Sequence, residues 1–217
     1  TWALLLAAAR RIPEADRLVR SQEQFRPSLG LMVGTHLAGK QLGIVGMGRI
    51  GAAVAARARA FGMSVAYHSR TRKPEYEAAY QMQAMDLPTL LATSDVLSLH
   101  VPLTEETRHL IGPAELARMK PDAILINAAR GPIVDEQALI EALTHKRIRA
   151  AGLDVYEHEP QVPQALRDLP NVVLSPHIGS ATNETRCAMT RAAVRAIVSV
   201  LKGQRPEHVV NPEVYTR

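Results

Sequence analysis

The segment GIVGMGRIG, residues 43–51, constrains the fold of this chain more than any other part of its sequence. Gly46, Gly48 and Gly51 have the spacing G-x-G-x-x-G between a short apolar run and an alanine-rich stretch, which predicts a strand, a tight turn and a helix. The second glycine lets a pyrophosphate approach the backbone, and the helix N terminus offers free N–H groups to it. The alternative is a glycine-bearing turn without a ligand.

Short apolar runs and helical stretches alternate along the rest of the chain. Strands are predicted at residues 42–45, 64–67, 96–100, 123–127, 150–155 and 172–175. Helices are predicted at residues 2–20 (interrupted by Pro13), 49–61, 75–82, 87–93, 113–119, 135–145 and 183–202, with a loop at 21–40 and an unstructured tail at 204–217. Strands that are apolar on both faces belong in a parallel sheet covered by helices. The fold class is therefore α/β, a doubly wound parallel sheet of the Rossmann type.

The residues after the second predicted strand bear on the choice of cofactor. Where an NAD site commonly has a carboxylate for the ribose hydroxyls, this chain has Ser69, followed by Arg70 and Arg72. A carboxylate would repel a 2′-phosphate, whereas a hydroxyl and guanidinium groups can bind it. We therefore expect NADP(H) rather than NAD(H), with NAD(H) still possible. The alternative is a solvated surface turn.

Composition limits the other classes of function. The chain has 217 residues, of which 47% are hydrophobic and 22% charged, as in an ordinary globular protein. Its net charge of +5 suits small anions, but two Phe and one Trp offer little for nucleic-acid stacking. The run WALLLAAA is too short to span a membrane. A single cysteine, Cys187, excludes a disulfide framework and favours a cytoplasmic location.

Reactive side chains follow three predicted strands. Arg130, Asp154, Glu159 and His177 all come after strand ends, and the carboxyl ends of parallel strands form one ligand crevice. These residues offer a base, an acid and a cation at that edge of the sheet: imidazole can give or take a proton near neutral pH, and a carboxylate can orient it. A planar guanidinium can bind a carboxylate with two hydrogen bonds and offset negative charge.

Each of these residues also has a structural alternative. Arg130 can pair with Asp135 or Glu136, His177 can be a core histidine, and Glu157 is a second candidate for the carboxylate. A metal triad of His158, Glu159 and His177 does not fit the usual ligand spacing, and no metal site is predicted. The remaining histidines are interpreted as structural or exposed.

Together, the glycine turn and the segments LTEETRHLIG, NAARGPIVDE, AAGLDVYEHEP and SPHIGSATNETR resemble the D-isomer-specific 2-hydroxyacid dehydrogenase family, in particular its glyoxylate/hydroxypyruvate reductase branch, which includes 2-ketogluconate reductases. The resemblance implies that Arg130 grips the substrate carboxylate, that His177 is the general acid and base, and that Glu159 orients it. The residues that it places along the cofactor are Arg49, Ile50, Pro102, Thr107, Ala128, Ala129, Arg130, Asp154, His177, Gly179 and Ser180.

The resemblance also implies a homodimer and a second domain, of which this chain shows only parts. Residues 1–34 would be an interdomain helix and a wrapping loop at the dimer contact. Residues 35–182 would be the cofactor domain, and residues 183–217 would return to the second domain. The apolar start of the chain, with no preceding cap, fits a chain cut at a domain junction. We therefore expect a fragment with cofactor affinity and reduced turnover.

Substrate and function class remain open at this stage. The branch implies glyoxylate, hydroxypyruvate or 2-ketogluconate, and Phe25 stands where relatives commonly have a tryptophan. Two alternatives to an enzyme are a cofactor-binding, corepressor-like partner protein without turnover and a purely structural domain.

Overall fold

The structure, a computed structural model, describes residues 1–21 and 24–215. The chain divides into two compact units, Thr1–His177 and Ile178–Arg217. Parts of the predicted loop at 21–40 and of the tail at 204–217 fall on residues 22–23 and 216–217, which lie outside the described residues. The domain boundaries expected from the family resemblance stay a prediction.

The first unit contains a seven-stranded, wholly parallel sheet. Its strands are β1 (Gln41–Val45), β2 (Ser64–His68), β3 (Gln83–Ala84), β4 (Val96–Leu99), β5 (Ile124–Asn127), β6 (Ala150–Leu153) and β7 (Val172–Leu174). They lie in the order β3-β2-β1-β4-β5-β6-β7. The direction of winding changes between β1 and β4, which opens a crevice at the carboxyl ends of these strands. The predicted doubly wound α/β fold is confirmed.

Two helices precede β1, and the other helices of the first unit connect consecutive strands. The helices are α1 (Trp2–Arg10), α2 (Ile12–Arg20), α3 (Arg49–Ala58), α4 (Pro74–Tyr80), α5 (Leu87–Thr93), α6 (Pro113–Arg118), α7 (Glu136–Thr144) and α8 (Gln164–Arg167). The predicted helix at 49–61 ends as α3 at Ala58 and continues as a single 3-10 turn to Phe61. Asp86 caps α5 and Asp135 caps α7, each by accepting a backbone N–H.

The sheet is buried on both faces, which explains its continuous apolar strands. In β5, Ile124 and Ile126 face one helical layer and Leu125 faces the other, and all three are fully buried. This alternation follows from the two-residue period of a strand. The carboxyl ends of the strands are thereby held at one edge by a rigid core.

The apolar start of the chain has its partner within the first unit. Leu4, Leu5, Ala8 and Ala9 of α1 are buried against the layer that contains Ile124 and Ala150. The apolar face of α1 is therefore covered within the first unit, and the domain junction expected from the sequence stays a prediction. The chain kinks after α1 at Arg11, whose φ of 54° is left-handed, and Pro13 lies in the first turn of α2.

The second unit is a single long helix and its tail. Helix α9 (Asn183–Leu201) is capped by Thr182, whose hydroxyl accepts the N–H of Thr185, and Gly203 follows its end with a left-handed φ of 69°. Its apolar residues Met189, Ile197 and Leu201 are exposed. The tail contains a 3-10 turn, Pro212–Tyr215, which was not predicted. Within the described residues, no helix is long and apolar enough to cross a membrane.

Candidate active site

The glycine turn joins β1 to α3 at the crevice. Gly46 has a φ of 98°, and a Cβ there would lie 2.6 Å from the carbonyl carbon and oxygen of His100. Gly48 has open space above it, and α3 begins at Arg49 without a side-chain cap. The turn thus combines an approachable backbone with an uncapped helix N terminus, which fits the phosphates of a dinucleotide.

The loop after β2 carries the residues expected to select the cofactor. Ser69 is half-buried and Arg70 is exposed. Arg72 is held by Glu77, which accepts hydrogen bonds from its Nε at 3.0 Å and its Nη2 at 2.6 Å. Bidentate pairing with Arg72 is the first cause that lowers the pKa of Glu77, and the Tyr67 hydroxyl adds to it. Arg72 is therefore oriented by a carboxylate that the sequence analysis did not identify.

Arg130 follows β5 on a turn held by a buried asparagine. The Asn127 side chain, 1% exposed, donates to the Arg130 carbonyl at 2.9 Å and accepts the Ala129 N–H at 3.1 Å. The guanidinium of Arg130 is exposed and donates to the Ala129 carbonyl. Within the described part of the chain it has no ion pair with Asp135 or Glu136. Arg130 is thus free to meet an external anion.

Backbone hydrogen bonds connect the ends of three neighbouring strands. The Asp154 N–H donates to the Asn127 carbonyl at 2.9 Å, and the His177 N–H donates to the Asp154 carbonyl at 2.8 Å. Arg130, Glu159 and His177 therefore leave the sheet at the same edge, after β5, β6 and β7 respectively. This is the arrangement that the sequence predicted from strand ends.

His177 and Glu159 form a direct pair. Nδ1 of His177 lies 2.8 Å from Oε2 of Glu159, and the other carboxylate oxygen accepts the Tyr156 N–H at 3.0 Å. Burial acts to raise the pKa of Glu159, but the hydrogen bonds from His177 and Tyr156 lower it below its ordinary value. An ionised Glu159 fixes the proton of His177 on Nδ1 and leaves Nε2 for the crevice.

His177 has a left-handed backbone, with a φ of 53°. Such a conformation is uncommon outside glycine and, when held by surrounding contacts, occurs often at functional sites. Here the backbone bond to Asp154 holds it. The side chain of His177 is 50% exposed, so the ring is not a core histidine.

Glu157, the other carboxylate considered for His177, has a different partner. Its Oε1 lies 2.7 Å from Nε2 of His109, and its Oε2 accepts the N–H of Glu136 at 3.3 Å. The Glu157 N–H in turn donates to the Glu136 carboxylate at 3.1 Å. Burial raises the pKa of Glu136. Glu157 therefore links loops that follow β4, β5 and β6.

The remaining predicted cofactor residues lie at or after strand ends. Asp154 is buried and accepts the Ser175 hydroxyl at 2.6 Å. Pro102 and Thr107 are joined by a 2.7 Å bond from the threonine hydroxyl to the proline carbonyl. Ala128 and Ala129 form the turn before Arg130, and Gly179 and Ser180 precede α9 in the second unit.

His100 lies next to the glycine turn and was interpreted from the sequence only as structural or exposed. It follows β4, and burial lowers its pKa to about 4. Its Nε2 shares a 2.9 Å hydrogen bond with the Ser98 hydroxyl. The ring is therefore neutral near pH 7. No group of three His, Cys, Asp or Glu is arranged to hold a metal ion in the part of the chain that the structure describes.

Three residues that position other side chains of the site were not identified from the sequence: Asn127, Glu77 and His109. Asn127 had a detectable signal, because an asparagine directly at a strand end commonly organises the following turn. Glu77 and His109 gave none, since their partners are set by the packing of loops rather than by local spacing.

Fold and strand-end groups define a Rossmann-type dinucleotide-binding domain. The profile of the D-isomer specific 2-hydroxyacid dehydrogenase NAD binding domain matches residues 2–179. The chain belongs to the D-isomer-specific 2-hydroxyacid dehydrogenase family, as its motifs suggested.

Similar proteins support this assignment. The chain is 52% identical to a glyoxylate reductase of Thermococcus litoralis, over 99% of this chain and 66% of that protein. It is also 52% identical to glyoxylate/hydroxypyruvate reductase B of Enterobacter agglomerans, over 98% of this chain and 66% of that one. The crystal structure of the TT0316 protein from Thermus thermophilus superposes with a TM-score of 0.91 at 47% identity, covering 96% of this chain and 66% of that one. The chain thus spans just under two thirds of the length of these relatives.

Proposed function

We propose that this chain provides the cofactor-binding and proton-transfer part of an oxidoreductase that moves a hydride between NADP(H) and a small 2-hydroxy or 2-keto acid. The substrates proposed are glyoxylate, hydroxypyruvate or 2-ketogluconate, by the names of the relatives and the branch resemblance. The observation that carries the proposal is the His177–Glu159 pair, 2.8 Å apart, at the same sheet edge as Arg130.

The residues of the chain divide the proposed work among them. When bound, the nicotinamide supplies or accepts the hydride. His177 transfers the proton through Nε2, and Glu159 holds its tautomer. Arg130 presents a planar guanidinium to the substrate carboxylate, and its fixed charge offsets negative charge on the reacting oxygen. Because Arg130 donates only to its neighbour's carbonyl among the described residues, no internal carboxylate competes with the substrate.

Two features support NADP(H) as the cofactor. The loop after β2 has Ser69 where a ribose-binding carboxylate is common, and Arg70 and Arg72 contribute positive charge beside it. A 2′-phosphate carries close to two negative charges and accepts several hydrogen bonds, so it favours such a loop. NAD(H) lacks this group.

We further propose a homodimer and a cytoplasmic location, the latter because a lone cysteine suits a reducing compartment. Since the chain spans 66% of the Thermococcus litoralis protein, turnover by the chain alone is proposed to be slower than turnover by a longer version. The reason is that closing a cleft over the substrate improves its positioning and excludes water.

The test measures NADPH oxidation with glyoxylate and with hydroxypyruvate. The assay is run on this chain and on a fusion that adds the part of the Thermococcus litoralis glyoxylate reductase that the chain does not cover. We expect His177→Ala to lower kcat of the fusion by roughly 10²–10⁴-fold. The control is His145→Ala, at an exposed histidine whose ring bonds the Glu141 carbonyl near the end of α7, and it leaves kcat within about twofold.

The outcomes separate the function classes. A fusion that binds NADPH with saturation but shows no turnover, and whose His177→Ala variant behaves like the wild type, would contradict the reductase and favour the corepressor-like partner. A chain that binds no nicotinamide cofactor would favour a structural domain. Turnover by the chain alone that equals that of the fusion would contradict the proposed need for additional chain.

A further inference from the structure

A closed hydrogen-bond network lies under the loop between β2 and α4. Glu77 of α4 accepts both Arg72 bonds described above, and its Oε1 also accepts the Tyr67 hydroxyl at 2.8 Å. The Tyr67 oxygen in turn accepts the Lys73 N–H at 2.7 Å. The network therefore connects the end of β2, the loop and the first turns of α4.

The residues of the network become more exposed from Tyr67 through Glu77 to Arg72. Tyr67 is 1% exposed in the core on the α1 and α3 side of the sheet. The side chain of Glu77 is 16% exposed, whereas that of Arg72 is 72% exposed. A buried aromatic ring thus holds a partly buried carboxylate, and the carboxylate holds an outward-facing guanidinium.

Arg72 keeps donors for a ligand in this arrangement. A guanidinium has five N–H donors, and the two bonds to Glu77 use one on Nε and one on Nη2. A cavity of about 510 Å³ opens at the same place, and Ser69, Arg72 and Glu77 are among its lining residues. The loop thus offers a hydroxyl and a held guanidinium to one space.

We infer that Glu77 is a positioning residue that, anchored by Tyr67, holds Arg72 and its loop for a 2′-phosphate and so sets the preference for NADPH over NADH. This inference rests on the cofactor assignment in the proposed function. It makes a carboxylate one of the residues that determine specificity at a site that binds an anion.

Two effects of this carboxylate oppose each other. Its negative charge repels a phosphate, but the ion pair with Arg72 neutralises this charge. Without Glu77, the long Arg72 side chain would move freely, and binding would have to immobilise it. We therefore expect positioning to outweigh repulsion, so that removing the carboxylate weakens NADPH binding.

The experiment measures dissociation constants of this chain for NADPH, NADH, adenosine 2′,5′-bisphosphate and AMP by fluorescence and calorimetry. Glu77→Gln keeps the shape of the side chain and removes its charge. The expected result is about fivefold weaker binding of the two 2′-phosphorylated probes, with NADH and AMP within about twofold. The control is Glu75→Gln, an exposed glutamate on the same helix, which leaves all four constants unchanged.

Two further variants separate positioning from folding. Tyr67→Phe keeps the ring and removes the hydroxyl, so it should weaken the same two probes to a smaller extent. Combining Glu77→Gln with Arg72→Ala should weaken them no more than Arg72→Ala alone, because both changes remove one interaction. Thermal unfolding of each variant reports any general loss of structure.

The possible results have distinct meanings. Equal weakening of all four probes would show a merely structural role, and tighter NADPH binding in Glu77→Gln would show that the carboxylate only repels the phosphate. Either result, or no change, would overturn the inference while leaving the reductase in place. A wild-type chain that binds NADPH and NADH equally would contradict the cofactor assignment and this inference together.

Discussion

Glu157 and His109 are joined by a 2.7 Å hydrogen bond between a carboxylate oxygen and Nε2 of the imidazole, although 48 positions separate them in the chain. Glu159, two residues further on, bonds His177 instead. One loop thus holds two carboxylates and directs each to a different histidine. The pairing assigns Glu159, and not Glu157, to the orientation of His177.

Glu157→Ala is expected to destabilise the fold. The variant removes the carboxylate that bonds the His109 ring and accepts the N–H of Glu136 at the start of α7. The Glu157 side chain is only 15% exposed. We expect the free energy of unfolding to fall by about 1–2 kcal/mol. Urea denaturation provides the measurement. Glu141→Ala, on the exposed side of α7, is the control, and an equal effect of the two changes would contradict the linking role of Glu157.

The stabilising effect of Glu159 is expected to depend on pH. Its pKa is lower in the folded protein than in the unfolded chain, so the ionised form favours folding. This contribution is complete above the unfolded value of about 4.3 and disappears as the pH falls through the folded value. The unfolding free energies of the wild type and Glu159→Gln should therefore differ at pH 6 and converge towards pH 3. A difference that grows on acidification would show the opposite linkage.

Gly46→Ala is expected to disrupt the glycine turn. An alanine Cβ there would clash with the His100 carbonyl, and the alanine would have to adopt the left-handed backbone of this position. We expect a cost of about 2–3 kcal/mol in unfolding free energy. Gly39→Ala is a matched control, since Gly39 also has a positive φ, 77°, but no atom within 4 Å of the added Cβ. Its cost should be about 1 kcal/mol. Similar melting temperatures for the two variants would contradict the close approach of His100.

Asn127→Ala is expected to loosen the turn that carries Arg130. The buried side chain makes two hydrogen bonds to this turn, and their loss leaves the Ala129 N–H without an acceptor, at about 1–3 kcal/mol. In the fusion, KM for hydroxypyruvate should rise as Arg130 becomes mobile. Asn183→Ala, at the start of α9, controls for loss of an asparagine. An unchanged KM would contradict a role of Asn127 in positioning Arg130.

The sheet could be predicted from the sequence because its strands are short, apolar and separated by recognisable helices. Six of the seven strands were predicted. The exception, β3, has two residues and pairs only with β2 at the edge of the sheet, so neither length nor hydrophobicity marks it. Helix α8 has four residues and was missed for the same reason.

The site was harder to predict, because hydrogen bonds between residues of different loops leave no local sequence pattern. The sequence located Arg130, Glu159 and His177 by their strand ends and by family resemblance. The resemblance assigned the orienting carboxylate to Glu159 and left Glu157 as an alternative, since both are acidic residues of one loop, and only the position of the His109 loop separates them. Likewise, Arg72 was expected to face a ligand, whereas its pairing with Glu77 depends on where α4 begins.

The most direct test of the proposed mechanism compares kcat of Glu159→Gln and Glu157→Gln in the fusion, with NADPH and hydroxypyruvate at saturation. Because Glu159 contacts His177 and Glu157 does not, we predict a loss of roughly 100-fold for Glu159→Gln and less than about fivefold for Glu157→Gln. Equal losses, or a larger loss for Glu157→Gln, would contradict the assignment of His177 and Glu159 as the proton-transfer pair.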